Sequence, residues 1–351
     1  MAARAAAFAV LAAAAAARAP RAGIPATPLF FNNSVNHFIA PSPTFSQRYY
    51  QNLTNFVGPG APIICIIGGE GAIAPSTGIF YPSIVVLAAR LGAAIIEPEH
   101  RFFGESLPAA PYDTARLSLL TAEQALADTA AFITAKRAEL RCSGERGEPR
   151  CPVITVGGSY PGWLSAMMRV RYPNVVDMAY AGSAPMLFYS QLVDQFAYYR
   201  VVTDSAERAV PGCPASVRRV LGATLAAGSK ADMAAKLNLC APLPPYIAAG
   251  DAPLMRDEIG MVVAYSFADL NMGNYPPTAA TGLARACAAL VAAPAGGEWP
   301  ALASFLSNYA PGGAPGACYN LTAQLPEGRA ATISSGDWSG VGTGQDGASW
   351  E

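Results

Sequence analysis

Histidine is almost missing from this chain: His37 and His100 are the only two in 351 residues. Charge is sparse as well. Charged side chains make up 13% and the formal net charge is −1, so there is no electrostatic footprint for nucleic acid or for an anionic membrane surface. The apolar run from Ala5 to Ala17 falls short of bilayer length and is ended by Arg18, Pro20 and Arg21, so no membrane span is expected once this segment is removed. None of the cysteines shows the close pairing that zinc ligands use, and neither a metal nor a cofactor is expected. There is no internal repeat.

What is present is apolar. Hydrophobic residues reach 52%, enough for a large α/β domain and a second, smaller one. Residues 1–22 read as a secretory signal peptide: Arg4, an apolar stretch, then Ala-rich cleavage options. An organelle transit peptide is the rival reading, because the opening is acid-free and contains arginine. Asn32-Asn33-Ser34, Asn52-Leu53-Thr54 and Asn320-Leu321-Thr322 are N-glycosylation sequons. Seven cysteines fit disulfides in an oxidising compartment. Cys142 and Cys151 flank a charged turn they could close, and Cys65 lies in an apolar run that suits a buried free thiol. Together these features point to the secretory pathway, either extracellular or in a lysosome or vacuole.

Along the chain, Pro28–Pro43 reads as an extended lead-in. Ala61–Gly68, Leu91–Glu97, Pro152–Val156 and Val175–Ala181 read as buried strands. Tyr81–Arg90, a segment opened by the Thr121/Gln124 capping box, and Ser159–Tyr172 read as helices. Strands alternating with helices imply a mostly parallel sheet covered on both faces. Residues 23–186 would form this core. The rhythm stops at Leu187; Ser190–Asp204 looks helical, and residues 187–351 are expected to be a helical, disulfide-linked insertion with an unanchored Gly/Ser-rich end.

The most informative segment is Val153-Ile-Thr-Val-Gly157-Gly158-Ser159-Tyr160-Pro161-Gly162. A strand runs through Gly-Gly-Ser directly into a helix, the layout of a nucleophile elbow, in which glycines permit a sharp turn that lifts the Ser159 hydroxyl clear of the sheet. The helix N-terminus beneath it favours developing negative charge, and the amide of Tyr160 would be one oxyanion donor. Pro161 stands where the usual Gly-x-Ser-x-Gly pattern has its second glycine. The loop Ile67-Gly68-Gly69-Glu70-Gly71 sits where a second donor belongs, with the amides of Gly69 and Glu70 as candidates. A Glu70 side chain turned inward would meet a substrate amine. His100, in Glu99-His100-Arg101-Phe102-Phe103-Gly104-Glu105-Ser106, reads as structural, within a charge network of Glu99, Arg101 and Glu105. His37 reads as a packing histidine.

With these segments in view, the chain resembles the prolyl carboxypeptidase, dipeptidyl peptidase II and thymus-specific serine protease family. The resemblance rests on Asn36-His37-Phe38 with Thr44–Tyr50, Ile67–Gly71, Glu99–Ser106, Gly157–Gly162 and Gly182-Ser183-Ala184-Pro185, in that order. It covers Val35–Ala206 well and becomes diffuse beyond. It implies an α/β-hydrolase fold with a helical cap over the site and Ser159 as nucleophile. It also implies small peptides cut after proline by acyl-enzyme chemistry, and an acid and a histidine downstream of the cap. Whether peptides are trimmed from the N- or the C-terminus stays open, as does a homodimer.

Neither histidine follows Ser159, whereas α/β-hydrolases order their triad Ser, acid, His. Asp337 and Asp346 precede the point where the acid would fall. The expectation is therefore a chain incomplete for catalysis, with an incomplete sheet, an exposed edge and an unpaired cysteine. A truncated gene model is preferred to a natural inactive homologue that binds peptides or regulates. An esterase or lipase on the same fold is the third reading.

Overall fold

The computed structural model describes residues 26–321 apart from 74, 76, 77, 80, 109–116, 146, 195 and 244. The expected signal peptide and the Gly/Ser-rich end lie outside the described residues. The chain divides into two compact units, one running to Met186 and one starting at Leu187.

The first unit is built on a six-stranded sheet of order β1-β2-β4-β3-β5-β6. Its strands are β1 (Leu29–Ser34), β2 (Thr44–Asn52), β3 (Ile63–Ile66), β4 (Ala94–Pro98), β5 (Val153–Gly158) and β6 (Met178–Gly182). Strands β3 to β6 are parallel and β1 and β2 antiparallel. The extended lead-in is thereby corrected: its first half is a strand. It pairs Leu29 with Tyr49 and Ser34 with Thr44, a long-range partnership that local pattern does not reveal. Strand β6 lies at the edge of the sheet, and Met178 and Tyr180 on it are exposed.

Helices cover the sheet on both faces: α1 (Pro82–Leu91), α2 (Ala122–Glu139) and α3 (Ser159–Arg171). Side chains alternate along a strand, so β3 feeds two cores. Ile63 and Cys65 pack with Leu126, Ile133, Leu164 and Met168, while Ile64 and Ile66 pack with Ile84 and Ala88. Helix α1 opens with a proline and stops at Gly92 in the left-handed region, as such termini commonly do. Thr121 caps α2 by accepting from the Gln124 amide at 3.2 Å. Gln124 does not complete the expected box. Its side chain donates to Asn36 and accepts from the His37 amide, tying α2 to the β1–β2 turn.

The second unit is helical among its described residues: α4 (Met186–Tyr189), which begins at the boundary, then α5 (Ala197–Ala209), α6 (Cys213–Leu225), α7 (Lys230–Lys236), α8 (Pro245–Ala249), α9 (Ala252–Met272), α10 (Gly282–Val291) and α11 (Glu298–Tyr309). The helical reading of Ser190–Asp204 is corrected in its first part, since α5 begins at Ala197. Two disulfides, Cys213–Cys287 and Cys240–Cys318, hold the unit, and a third, Cys142–Cys151, closes the charged turn of the first. The expectation of a cysteine lacking its partner is corrected too. The odd thiol is Cys65, fully buried on β3 and pushed well up by burial, so the odd count needs no missing partner.

Candidate active site

Strand β5 ends in Gly157 and Gly158, and α3 begins at Ser159 with no residue between them. Turning the chain in so little space forces Ser159 to φ 58°, a left-handed conformation that costs a non-glycine residue about 1–2 kcal/mol. Ser159 is exposed. A strained serine displayed between a buried strand and a helix is the elbow geometry expected from sequence.

The surrounding glycines are there for contact. A Cβ on Gly157 would overlap the carbonyl of Pro161. One on Gly162 would sit 2.6 Å from the carbonyl oxygen of Gly182. The departure at Pro161 is therefore explained: close approach of α3 to the sheet is handled by Gly162, one residue later. Pro161 is tolerated in the first helical turn, where amides lack helical partners. Its ring faces the Gly-rich loop after β3, where a Cβ on Gly69 would lie 2.6 Å from its Cγ. That loop and the elbow are thus neighbours. Glu70 is exposed in the same loop.

Two tyrosines that sequence reasoning did not assign by their hydroxyls close in on the elbow. The Tyr81 hydroxyl hydrogen-bonds to the backbone of Gly158, and burial pushes its phenol up. The Tyr160 hydroxyl meets Nε2 of His100 at 3.0 Å. No local signal marks either contact, because each joins segments far apart in sequence.

His100 is buried, and burial lowers it to about 4. Its Nδ1 lies 2.8 Å from the carbonyl oxygen of Arg101. His37 is half-buried and places Nε2 2.7 Å from Oδ1 of Asp128. The structural reading of both histidines holds, with the network around them corrected. Glu99 and Glu105 each pair with Arg48 on β2, at 2.6 Å, and Arg101 pairs with Asp128 on α2. Glu99 also accepts from the Ile73 amide and the Ser106 hydroxyl. Among the described residues no group of three or more His, Cys, Asp or Glu is placed to hold a metal ion, and no helix is long and apolar enough to cross a membrane.

Comparison with known proteins decides the family. The model of serine carboxypeptidase S28 matches residues 33–285. This chain belongs to the serine carboxypeptidase S28 family. Lysosomal Pro-X carboxypeptidase of Mus musculus is 34% identical over 71% of this chain and 49% of its own length, and that of Homo sapiens is 32% identical over the same shares. Thymus-specific serine protease of Mus musculus is 38% identical over 48% of this chain and 31% of its own. This S28 chain thus spans about half the length of the curated relatives it matches. A probable hydrolytic enzyme from Pseudomonas aeruginosa superposes with a TM-score of 0.31 at 17% identity, over 45% of this chain and 42% of that one; the S28 assignment rests on sequence. The mostly parallel sheet, with its helices and the serine elbow after β5, is an α/β-hydrolase architecture.

Proposed function

We propose that this S28 chain carries the nucleophile of a serine exopeptidase that cleaves small peptides after proline. The carrying observation is Ser159, exposed and held at φ 58° on the turn from β5 into α3. In the proposed chemistry the Ser159 oxygen attacks the scissile carbonyl, the amine leaves, and water hydrolyses the acyl-enzyme. The Tyr160 amide and an amide of Gly69 or Glu70 receive the oxyanion, and Glu70 is free to meet a substrate amine. Relatives named Pro-X carboxypeptidase favour release of a C-terminal residue.

The proton of Ser159 needs an acceptor, and neither histidine in these 351 residues is free for it. His37 is engaged by Asp128, and both ring nitrogens of His100 have partners. The 351-residue chain by itself is therefore expected to turn over about 10⁶-fold more slowly than one supplied with the acid and histidine. A second reading is a non-catalytic protein that holds proline-containing peptides.

The disulfides and the lysosomal relatives support a secretory or lysosomal setting. Asn32 and Asn320 are exposed and suit glycan attachment, whereas Asn52 is half-buried and accepts from the Thr54 amide.

Fluorophosphonate labelling tests the proposal. The gene's longest product should label and lose labelling on Ser159→Ala, while residues 1–351 should label only weakly. Strong Ser159-dependent labelling of residues 1–351 would overturn the missing-base argument. Absence of labelling in every product, with proline peptides still bound, would establish the second reading.

A further inference from the structure

The elbow holds Ser159 in the left-handed region, but its oxyanion donor belongs to the next residue. Tyr160 can turn its amide only as far as its own anchoring allows. That anchor is unusual: the phenol reaches back to His100, which lies just past the end of β4 and 60 positions away in sequence.

The direction of the hydrogen bond follows from chemistry. Nδ1 of His100 faces the carbonyl oxygen of Arg101 at 2.8 Å. A carbonyl only accepts, so Nδ1 carries the proton and Nε2 presents its lone pair. The Tyr160 hydroxyl must then donate. The imidazole is itself held, edge-on to Phe103 with centroids 5.3 Å apart, while the Tyr160 ring stacks on Trp163 at 6.5 Å.

The same segment touches the other arm of the candidate oxyanion hole. A Cβ on Gly68 would overlap the carbonyl of Pro98 and come within 2.9 Å of the backbone nitrogen of His100. The Gly-rich loop therefore lies directly on the backbone that carries His100. One short stretch of chain, Pro98–His100, abuts both donor-bearing segments.

We infer that His100 is a positioning residue of this site: by accepting the Tyr160 hydroxyl it fixes the backbone amide beside Ser159 that would receive the oxyanion. It touches no reacting atom and exchanges no proton with substrate. The inference rests on Ser159 being the nucleophile, and an electrophilic probe separates the two. Burial keeps the imidazole neutral well into acid, as an acceptor must be.

The experiment uses the gene's longest product, assayed on a proline-containing peptide, with Ser159→Ala, Tyr160→Phe, His100→Gln and His100→Leu. Tyr160→Phe and His100→Leu should each lower kcat about ten-fold with KM within two-fold, because a donor held less well loses part of its transition-state effect. Affinity for a peptidyl boronate, whose tetrahedral adduct carries an oxyanion, should fall in step, while affinity for the cleavage product stays put. His100→Gln, whose amide oxygen can still accept the phenol, should recover most of kcat. The double variant Tyr160→Phe with His100→Leu should be no slower than either single one, since both remove the same bond. Circular dichroism verifies folding, and Tyr160→Phe, which deletes one atom, covers the case in which His100→Leu misfolds. If Ser159→Ala retains turnover, the nucleophile assignment fails. If Ser159 is essential but Tyr160→Phe keeps kcat and boronate affinity within two-fold, the positioning role alone is overturned.

Discussion

Arg101 grips Asp128 through two hydrogen bonds, Nε to Oδ2 at 2.6 Å and Nη2 to Oδ1 at 2.7 Å, with both side chains almost wholly buried. The pair joins the segment after β4 to α2, and His37 adds a third contact to the same carboxylate. A buried ion pair gains little over an apolar substitute, but losing one partner strands the other charge. Asp128→Ala should therefore cost about 3–5 kcal/mol, read as a shift in the urea midpoint at neutral pH. A loss below about 1 kcal/mol would show that water reaches Arg101.

Stability should also depend on acid through His100. Its folded value of about 4 lies below the usual imidazole range of about 6.5, and burial is the main cause. The unfolded chain then binds more protons between those two values, so stability rises with pH across that window and is complete above it. The hydrogen bond to the Arg101 carbonyl and the charge of Asp128 oppose the shift, while the charge of Arg101 reinforces it. The loss on going from pH 7 to pH 4 should approach about 3 kcal/mol, measured by urea unfolding, and His100→Gln should flatten the curve. A wild-type profile as flat as the variant's across that range would refute the assignment.

The elbow should respond to its own two positions in opposite ways. Ser159→Gly removes the cost of a left-handed serine while adding freedom to the unfolded chain, so a net gain of about 0.5–1 kcal/mol is expected. Gly157→Ala would drive a methyl group into the Pro161 carbonyl and should cost about 2–3 kcal/mol through displacement of α3. Thermal melts of the two variants check both signs.

In the helical unit the Cys213–Cys287 bridge spans 74 positions, and both cysteines are buried in its core. Replacing the pair by alanine should cost about 4 kcal/mol through the entropy of the larger unfolded ensemble. The loss should appear as earlier proteolysis within Leu187–Leu321, with the sheet unit protected longer. Cys65→Ala, by contrast, cuts no cross-link; it only trades a buried thiol for a methyl, and should change stability by about 1 kcal/mol or less.

Much of this could be read directly. Ile63–Ile66 reads as a strand because four apolar residues between turn formers leave little alternative, and Ser159 stands out because Gly-Gly-Ser joins a strand to a helix without a linker. The five ordered motifs were enough for the family resemblance, which the S28 match bears out. Where sequence reasoning went astray, the missing information was long-range. Strand β1 has no local signature because its hydrogen bonds lie on β2, and Glu99, Arg101 and Glu105 are neighbours in sequence without pairing with one another. Their true partners, Arg48 and Asp128, come from β2 and α2.

Alone, the order of residues settles the local matters: where apolar runs form strands, where glycine permits a turn, which serine sits at the strand–helix junction, and that both histidines precede it. Only the tertiary structure decides which charges neutralise one another, which thiol stays single, and that the Tyr160 phenol ends on His100. The reason is physical. Backbone conformation is governed by nearby sterics and hydrogen bonds, whereas pairing of buried polar groups is a matter of distance, which exists only after the chain has packed.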